Sequence, residues 1–293
     1  MLPYIYTILA NVCFAAGSIS FTTFSERIGP IWMNRYKAIV ALFFFFGTSL
    51  ILGEIHFPEM KVFSFLFLSG FIGLGIGDFF ILKAFVKMGP GRTLMIFGFQ
   101  PLLIGIFSNI FLGQELRVEQ IIGVFFCVAC ILILGRESDS KRGEDWVING
   151  IVLAFAGIIF DAVGLVLSRM SFEQDPLLTT FNVNIFRIFG ALVALQLLTF
   201  FKSEPKLTEG VKSLSKRDLI IVSSGAILGT YISLSFYLKA IQIGNLGVVS
   251  AVSLSGVLFS ATFECIKKRQ WPSKYFMLAM SCFFIGMYFV LKV

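Results

Sequence analysis

Four ionisable residues stand out inside long apolar stretches of this sequence: Arg35, Asp78, Asp161 and Arg187. A charge in hydrocarbon is costly, so such a group marks a substrate or ion path, a proton relay or a buried pair. With a helical rise of about 1.5 Å per residue, Arg35 and Asp78 both sit roughly 6–9 Å below one face, and a pair between them is expected. Arg187 lies about 14 Å deep and Asp161 about 9–14 Å deep from a common face, so a second pair, Asp161 with Arg187, is also expected. The plainer alternative for Arg35 is a shallow arginine that snorkels to the interface.

Polar neighbours that would complete a cavity are Gln100, Asn184, Tyr231, Tyr237 and Ser253, together with Asn11, Ser18, Asn34, Ser235 and Ser255. Each alone is ordinary interhelical glue. Catalytic chemistry has no foundation here. The sole histidine, His56, stands in a short loop with no ligand set or dyad around it. Cys127 and Cys130, two of five cysteines, share one apolar helix without further ligands and read as small packing residues. No metal, no cofactor and no catalytic residues are expected.

The elements that must position these residues are membrane spans. The 293 residues are 57% hydrophobic and 14% charged, with 36 Phe, and mean hydropathy is +0.89. A soluble domain carries roughly a quarter charged residues. The first apolar stretch lacks a basic leader and a cleavage site and reads as a retained span. Ten stretches approach the roughly 20 residues that a span needs. They are Ile5–Phe24, Ile31–Leu52, Val62–Ala84, Thr93–Leu112 and Val118–Leu134, then Ile148–Leu167, Leu178–Phe201, Leu219–Ala240, Leu246–Ile266 and Tyr275–Leu291. The fold class expected is an all-α membrane protein of ten transmembrane helices in two inverted five-helix repeats. Residues 1–135 form the first repeat, 136–146 a polar linker and 147–293 the second. The loop Lys202–Asp218 is the other long polar segment.

The repeat is written in the residues. Phe80-Ile81-Leu82-Lys83-Ala84-Phe85 is echoed by Phe236-Tyr237-Leu238-Lys239-Ala240-Ile241, and Gly91 matches Gly247 at the same offset. An odd number of spans per half inverts the second half, and transporter sites lie at such repeat interfaces. Asp78 aligns with Leu234, so it has no acidic counterpart; this asymmetry makes it the candidate proton carrier. Gly73, Gly77, Gly225 and Gly229 give the third and eighth spans smooth faces for close packing or sliding. Pro101 is expected to kink the fourth span; its counterpart Val257 follows Ser255-Gly256, expected to loosen the ninth. Trp32, Trp146 and Trp271 fall at span ends, where an interfacial belt would place them.

The stretch Gly77–Gly123 resembles the EamA family of the drug/metabolite transporter superfamily. The matching features are Lys83-Ala84, Gly89, Pro101, Gly113-Gln114-Glu115, Gln120 and Gly123, and Arg35 and Arg187 match the family's arginine in the second span of each half. In the second half Trp271 replaces Glu115 and Val257 replaces Pro101. The resemblance implies ten spans, a central cavity and transport of small metabolites. It also implies cytoplasmic termini, whereas the basic residues divide about sixteen to five between the two sets of loops and place the termini outside.

The function expected is secondary active transport of an amino acid or an amphiphilic, aromatic or cationic compound, by efflux or exchange. Alternatives are a flippase of lipids or lipid-linked sugars on the same fold, an intramembrane enzyme and a structural subunit. Expected partners are the substrate, the bilayer and protons or a counter-substrate, with no nucleic acid; the chain would act as a monomer or homodimer in a bacterial inner membrane. The net charge of +7 belongs to loops between spans.

Overall fold

A computed structural model describes residues 1–113, 118–119, 121–123, 125–126, 128–130, 132–133, 148–201, 205–253, 255–256, 258–259, 262 and 274–291. Among these the architecture is helical, without strands. In the first half are α1 (Leu2–Arg27), α2 (Pro30–Leu52), α3 (Met60–Ser69), α4 (Asp78–Ile96) and α5 (Gln100–Leu112). In the second are α6 (Ile148–Gln174), α7 (Thr180–Phe201), α8 (Leu207–Lys212), α9 (Lys216–Ala226), α10 (Ser233–Ile243), α11 (Leu246–Ser253) and α12 (Lys274–Leu291). The described residues between 118 and 133 are helical as well.

Among the described residues six helices are long and apolar enough to cross a membrane: Leu2–Arg27, Pro30–Leu52, Met60–Met88, Ile148–Gln174, Thr180–Phe200 and Lys216–Ile243. Gln100–Leu112, Ile121–Cys130 and Met277–Gly286 are apolar but shorter. The helix ends follow local chemistry. Pro30, with no N–H to leave unpaired, opens α2. Gly53, at φ 67°, closes it in a left-handed turn that only glycine adopts without strain.

Two boundaries differ from the sequence reading. Helical backbone runs on from Asp78 to Ile96 where a loop after Ala84 was expected. The expected loop Lys202–Asp218 contains a short helix, α8, and the first turn of α9, which Ser215 and Asp218 cap reciprocally.

The third helix of each repeat is interrupted by a π-helical stretch, Gly70–Gly77 in the first and Ile227–Ile232 in the second. At the offset that aligns Phe80 with Phe236, the second stretch falls within the first. π-Turns inside α-helices recur at functional sites because they shift side chains around the helix. Here the amide of Asn34 on α2 donates to the Leu74 carbonyl within the first stretch, 2.9 Å away.

The repeats interlock through glycine. A Cβ on Gly17 of α1 would fall 2.6 Å from Gly229 Cα, and one on Gly164 of α6 would fall 3.1 Å from Gly73 Cα. The first helix of each repeat thus lies against the third helix of the other, at backbone contact, in two matching crossings. Gly77 meets Gly157 at a third point and Gly225 meets Ser20 at a fourth. Gly73, Gly77, Gly225 and Gly229, singled out in the sequence, all sit between the repeats.

Candidate functional site

The crossings leave a cavity of about 130 Å³ between the repeats, room for on the order of ten water-sized bodies. Asn11 and Phe14 of α1, Lys37 of α2, Asp78 of α4 and Gln100 of α5 reach it from the first repeat. Asp161 of α6, Arg187 of α7, Tyr237 of α10 and Ser253 of α11 reach it from the second, with Gly229 of the π stretch.

Asp78 is paired, but not with Arg35. The ammonium of Lys37 donates to Asp78 Oδ2 at 2.5 Å, both side chains being largely buried. Arg35 instead donates to Gln196 Oε1 of α7, 3.0 Å away, outside the cavity. The reason is helical phase. Residues two apart point about 200° apart around a helix, so only one of the two cations can face inward. Depth pointed the same way: Lys37 stands seven residues past Pro30, just as Arg187 stands seven past Thr180. Lys37 was overlooked as a site residue although that register was available.

The second expected pair is also rearranged. Gln100 Nε2 donates to Asp161 Oδ2 at 2.5 Å. Arg187 Nε donates to Ser69 Oγ at 3.0 Å. Among the described residues no ion pair joins Asp161 to Arg187. Ser69 is held by the Gly164 carbonyl at 2.5 Å and Ser168 Oγ at 2.8 Å, so hydroxyls of α3 and α6 set the orientation of an arginine on α7. Arg187 is fully buried, and its two terminal nitrogens have no hydrogen-bond partner among the described residues.

Of the other candidates, Gln100, Tyr237 and Ser253 line the cavity, while Asn184 and Tyr231 do not. Asn184 is buried on α7 one turn before Arg187. Tyr231 turns toward α2, where its hydroxyl lies 2.7 Å from Thr48 Oγ1 and its ring packs on Phe44 and Phe45. Pro101 stands in the first turn of α5, directly after a 3₁₀ turn at Phe97–Phe99. The break expected in that span exists, but the proline starts a helix instead of bending one, since a first-turn residue needs no N–H partner. Ser255 and Gly256 are helical, and Asn11 donates to Ser255 Oγ at 3.3 Å. Val257, Gln114, Glu115, Gln120, Cys127, Trp146 and Trp271 lie outside the described residues.

Trp32, at the start of α2, is covered by protein. It is 1% exposed, stacks on Tyr36 and donates to the Leu207 carbonyl beneath α8. His56 does find a partner, Asp175 at 2.8 Å, in a tie between the α2–α3 and α6–α7 loops away from the cavity. Among the described residues no cluster of three His, Cys, Asp or Glu could hold a metal.

Comparison with known proteins gives a consistent frame. The model of the EamA-like transporter family matches residues 1–136 and 148–292. The WAT1-related protein At3g02690 of Arabidopsis thaliana, chloroplastic, is 21% identical over 217 residues, 72% of this chain and 50% of its own length. The chain thus spans about half the length of that curated relative. A solved structure, titled only as the crystal structure of a protein, superposes with a TM-score of 0.76 at 17% identity, covering 98% of this chain and 96% of its own, which shows the fold.

Proposed function

The chain belongs to the EamA-like transporter family, and on that premise we propose that it is a secondary active transporter that moves a small metabolite by alternating access. In this reading the six long helices, the three shorter apolar ones and the span that begins with α11 make ten spans in two inverted five-helix repeats. The observation that carries it is the cavity walled by both repeats, with Lys37, Asp78, Asp161 and Arg187 in or beside it. Four charged groups are not gathered at membrane depth for packing alone. The paired glycine crossings offer the surfaces on which the repeats rock.

The cavity wall is mixed: Phe14, Phe97 and Tyr237 supply rings, Asn11, Gln100 and Ser253 supply polar atoms. That suits an amino acid or an amphiphilic, aromatic or cationic compound, moved by efflux or exchange. Protons or a counter-substrate supply the drive, with Asp78 as the exchangeable carboxylate. The protein works in a bacterial inner membrane, as a monomer or homodimer, and carries out no catalysis.

The test is reconstitution. Purified protein in vesicles, given a pH gradient and a panel of labelled amino acids and aromatic cations, should accumulate at least one of them above protein-free vesicles. Accumulation of none, in either direction or by exchange, contradicts the proposal.

A further inference from the structure

We propose that the free edge of Arg187 is the docking point for a carboxylate group of the transported molecule; this rests on the transport reading above. Three observations carry it. The arginine is fully buried and forms part of the cavity wall. Its Nε is committed to Ser69, which Gly164 and Ser168 fix in turn, and its backbone is clamped against Gly70. Both terminal nitrogens lack a partner among the described residues.

Neither acid on the cavity wall supplies that partner. Asp78 accepts from Lys37 and Asp161 accepts from Gln100. A guanidinium held by Nε presents its terminal N–H groups as a planar fork, which matches a carboxylate in two parallel hydrogen bonds. Buried N–H groups without partners are unfavourable, so a ligand that satisfies them gains more here than at an exposed arginine. A phosphate dianion fits less well, because the second cation, Lys37, is already engaged. A carboxylate on Arg187 would leave the wall with an excess of negative charge, since Lys37 balances Asp78 and Arg187 balances Asp161. A ligand that also carries an ammonium group corrects this through Asp161, whose Oδ1 has no hydrogen bond among the described residues.

The experiment uses matched probes chosen for the ring-lined wall: L-phenylalanine against its amide, and 3-phenylpropanoate against 3-phenylpropanamide. Binding is read as the rise in unfolding temperature of the full chain in detergent, since a ligand of the native state raises stability. The acids should bind about tenfold or more tighter than the amides, because a site built for one polar group rejects the analogue lacking it. Arg187→Gln should erase that preference. Ser69→Ala, which keeps the arginine but frees its Nε, should reduce the preference and decides the matter if Arg187→Gln does not fold. Equal binding of acid and amide, no binding of either acid, or an unchanged preference in the variants overturns the proposal. Uptake of the amides by vesicles without acid preference would sink the docking point and leave transport standing. Acid-selective binding without any uptake would do the reverse.

Discussion

The ammonium of Lys37 lies 2.5 Å from Asp78 Oδ2 and 5.1 Å from the centre of the Phe21 ring, so a cation of α2 occupies the carboxylate at the start of α4. The pair is neutral as a unit. Neutralising Asp78 would leave the Lys37 ammonium buried and unpaired, so on the transport reading a proton on Asp78 and the Lys37 contact are linked.

That linkage gives the first prediction. Asp78→Asn, which mimics the protonated acid, should keep substrate exchange and lose accumulation driven by a pH gradient. The assay is exchange and gradient-driven uptake in the same vesicles. Wild-type accumulation by the variant rules the coupling role out.

A second prediction concerns stability of the same pair. Removing one member of a buried ion pair costs about 3–5 kcal/mol, whereas replacing both by neutral groups is often close to harmless. Lys37→Met and Asp78→Asn should each lower the unfolding temperature, and the double variant should recover most of the loss. Additive losses would mean that the two residues do not interact.

Gly164 provides a third. A Cβ there would come within 2.8 Å of the Ser69 carbonyl and 3.1 Å of Gly73 Cα. Gly164→Val must push α6 from α3, an overpacking cost of about 1–3 kcal/mol. It should also abolish transport, because the crossing is where the repeats meet. Gly47→Ala, where an added Cβ meets nothing within 4 Å, is the control that should behave as wild type.

Orientation gives a fourth. By the positive-inside rule, the excess of basic residues in the loops that include Lys202–Asp218 is expected to lie in the cytoplasm, against the orientation that the family resemblance implies. A cysteine at the exposed Lys212 should therefore resist an impermeant thiol reagent on intact cells and react after permeabilisation. Labelling on intact cells reverses the orientation.

How much of this was legible beforehand follows from what a one-dimensional pattern encodes. The repeat offset that pairs Phe80 with Phe236 also relates Gly73 to Gly229, and the two glycines sit at equivalent crossings, because both the echo and the contact depend on position along the helix. Depth counting brought Asp161 and Arg187 to one level for the same reason, and both line the cavity. It failed where rotation about the helix decides. Arg35 and Lys37 are nearly equal in depth but face opposite ways, and only the packed neighbours of α2 fix which faces the cavity. The partner of Asp161 was missed because Gln100 sits directly after a 3₁₀ turn that rotates it inward. Trp32 sits at a helix end, as sequence position says, yet α8 covers it. The π stretches left no pattern beyond their glycines.

Alternating access through this cavity is tested most directly at Leu234, the repeat counterpart of Asp78, which lines it. In a background with the five native cysteines replaced, Leu234→Cys in oriented vesicles should react with an impermeant thiol reagent from either side of the membrane, and a transported substrate should slow both reactions. Reaction from one side only, under every gradient and substrate condition, contradicts the account.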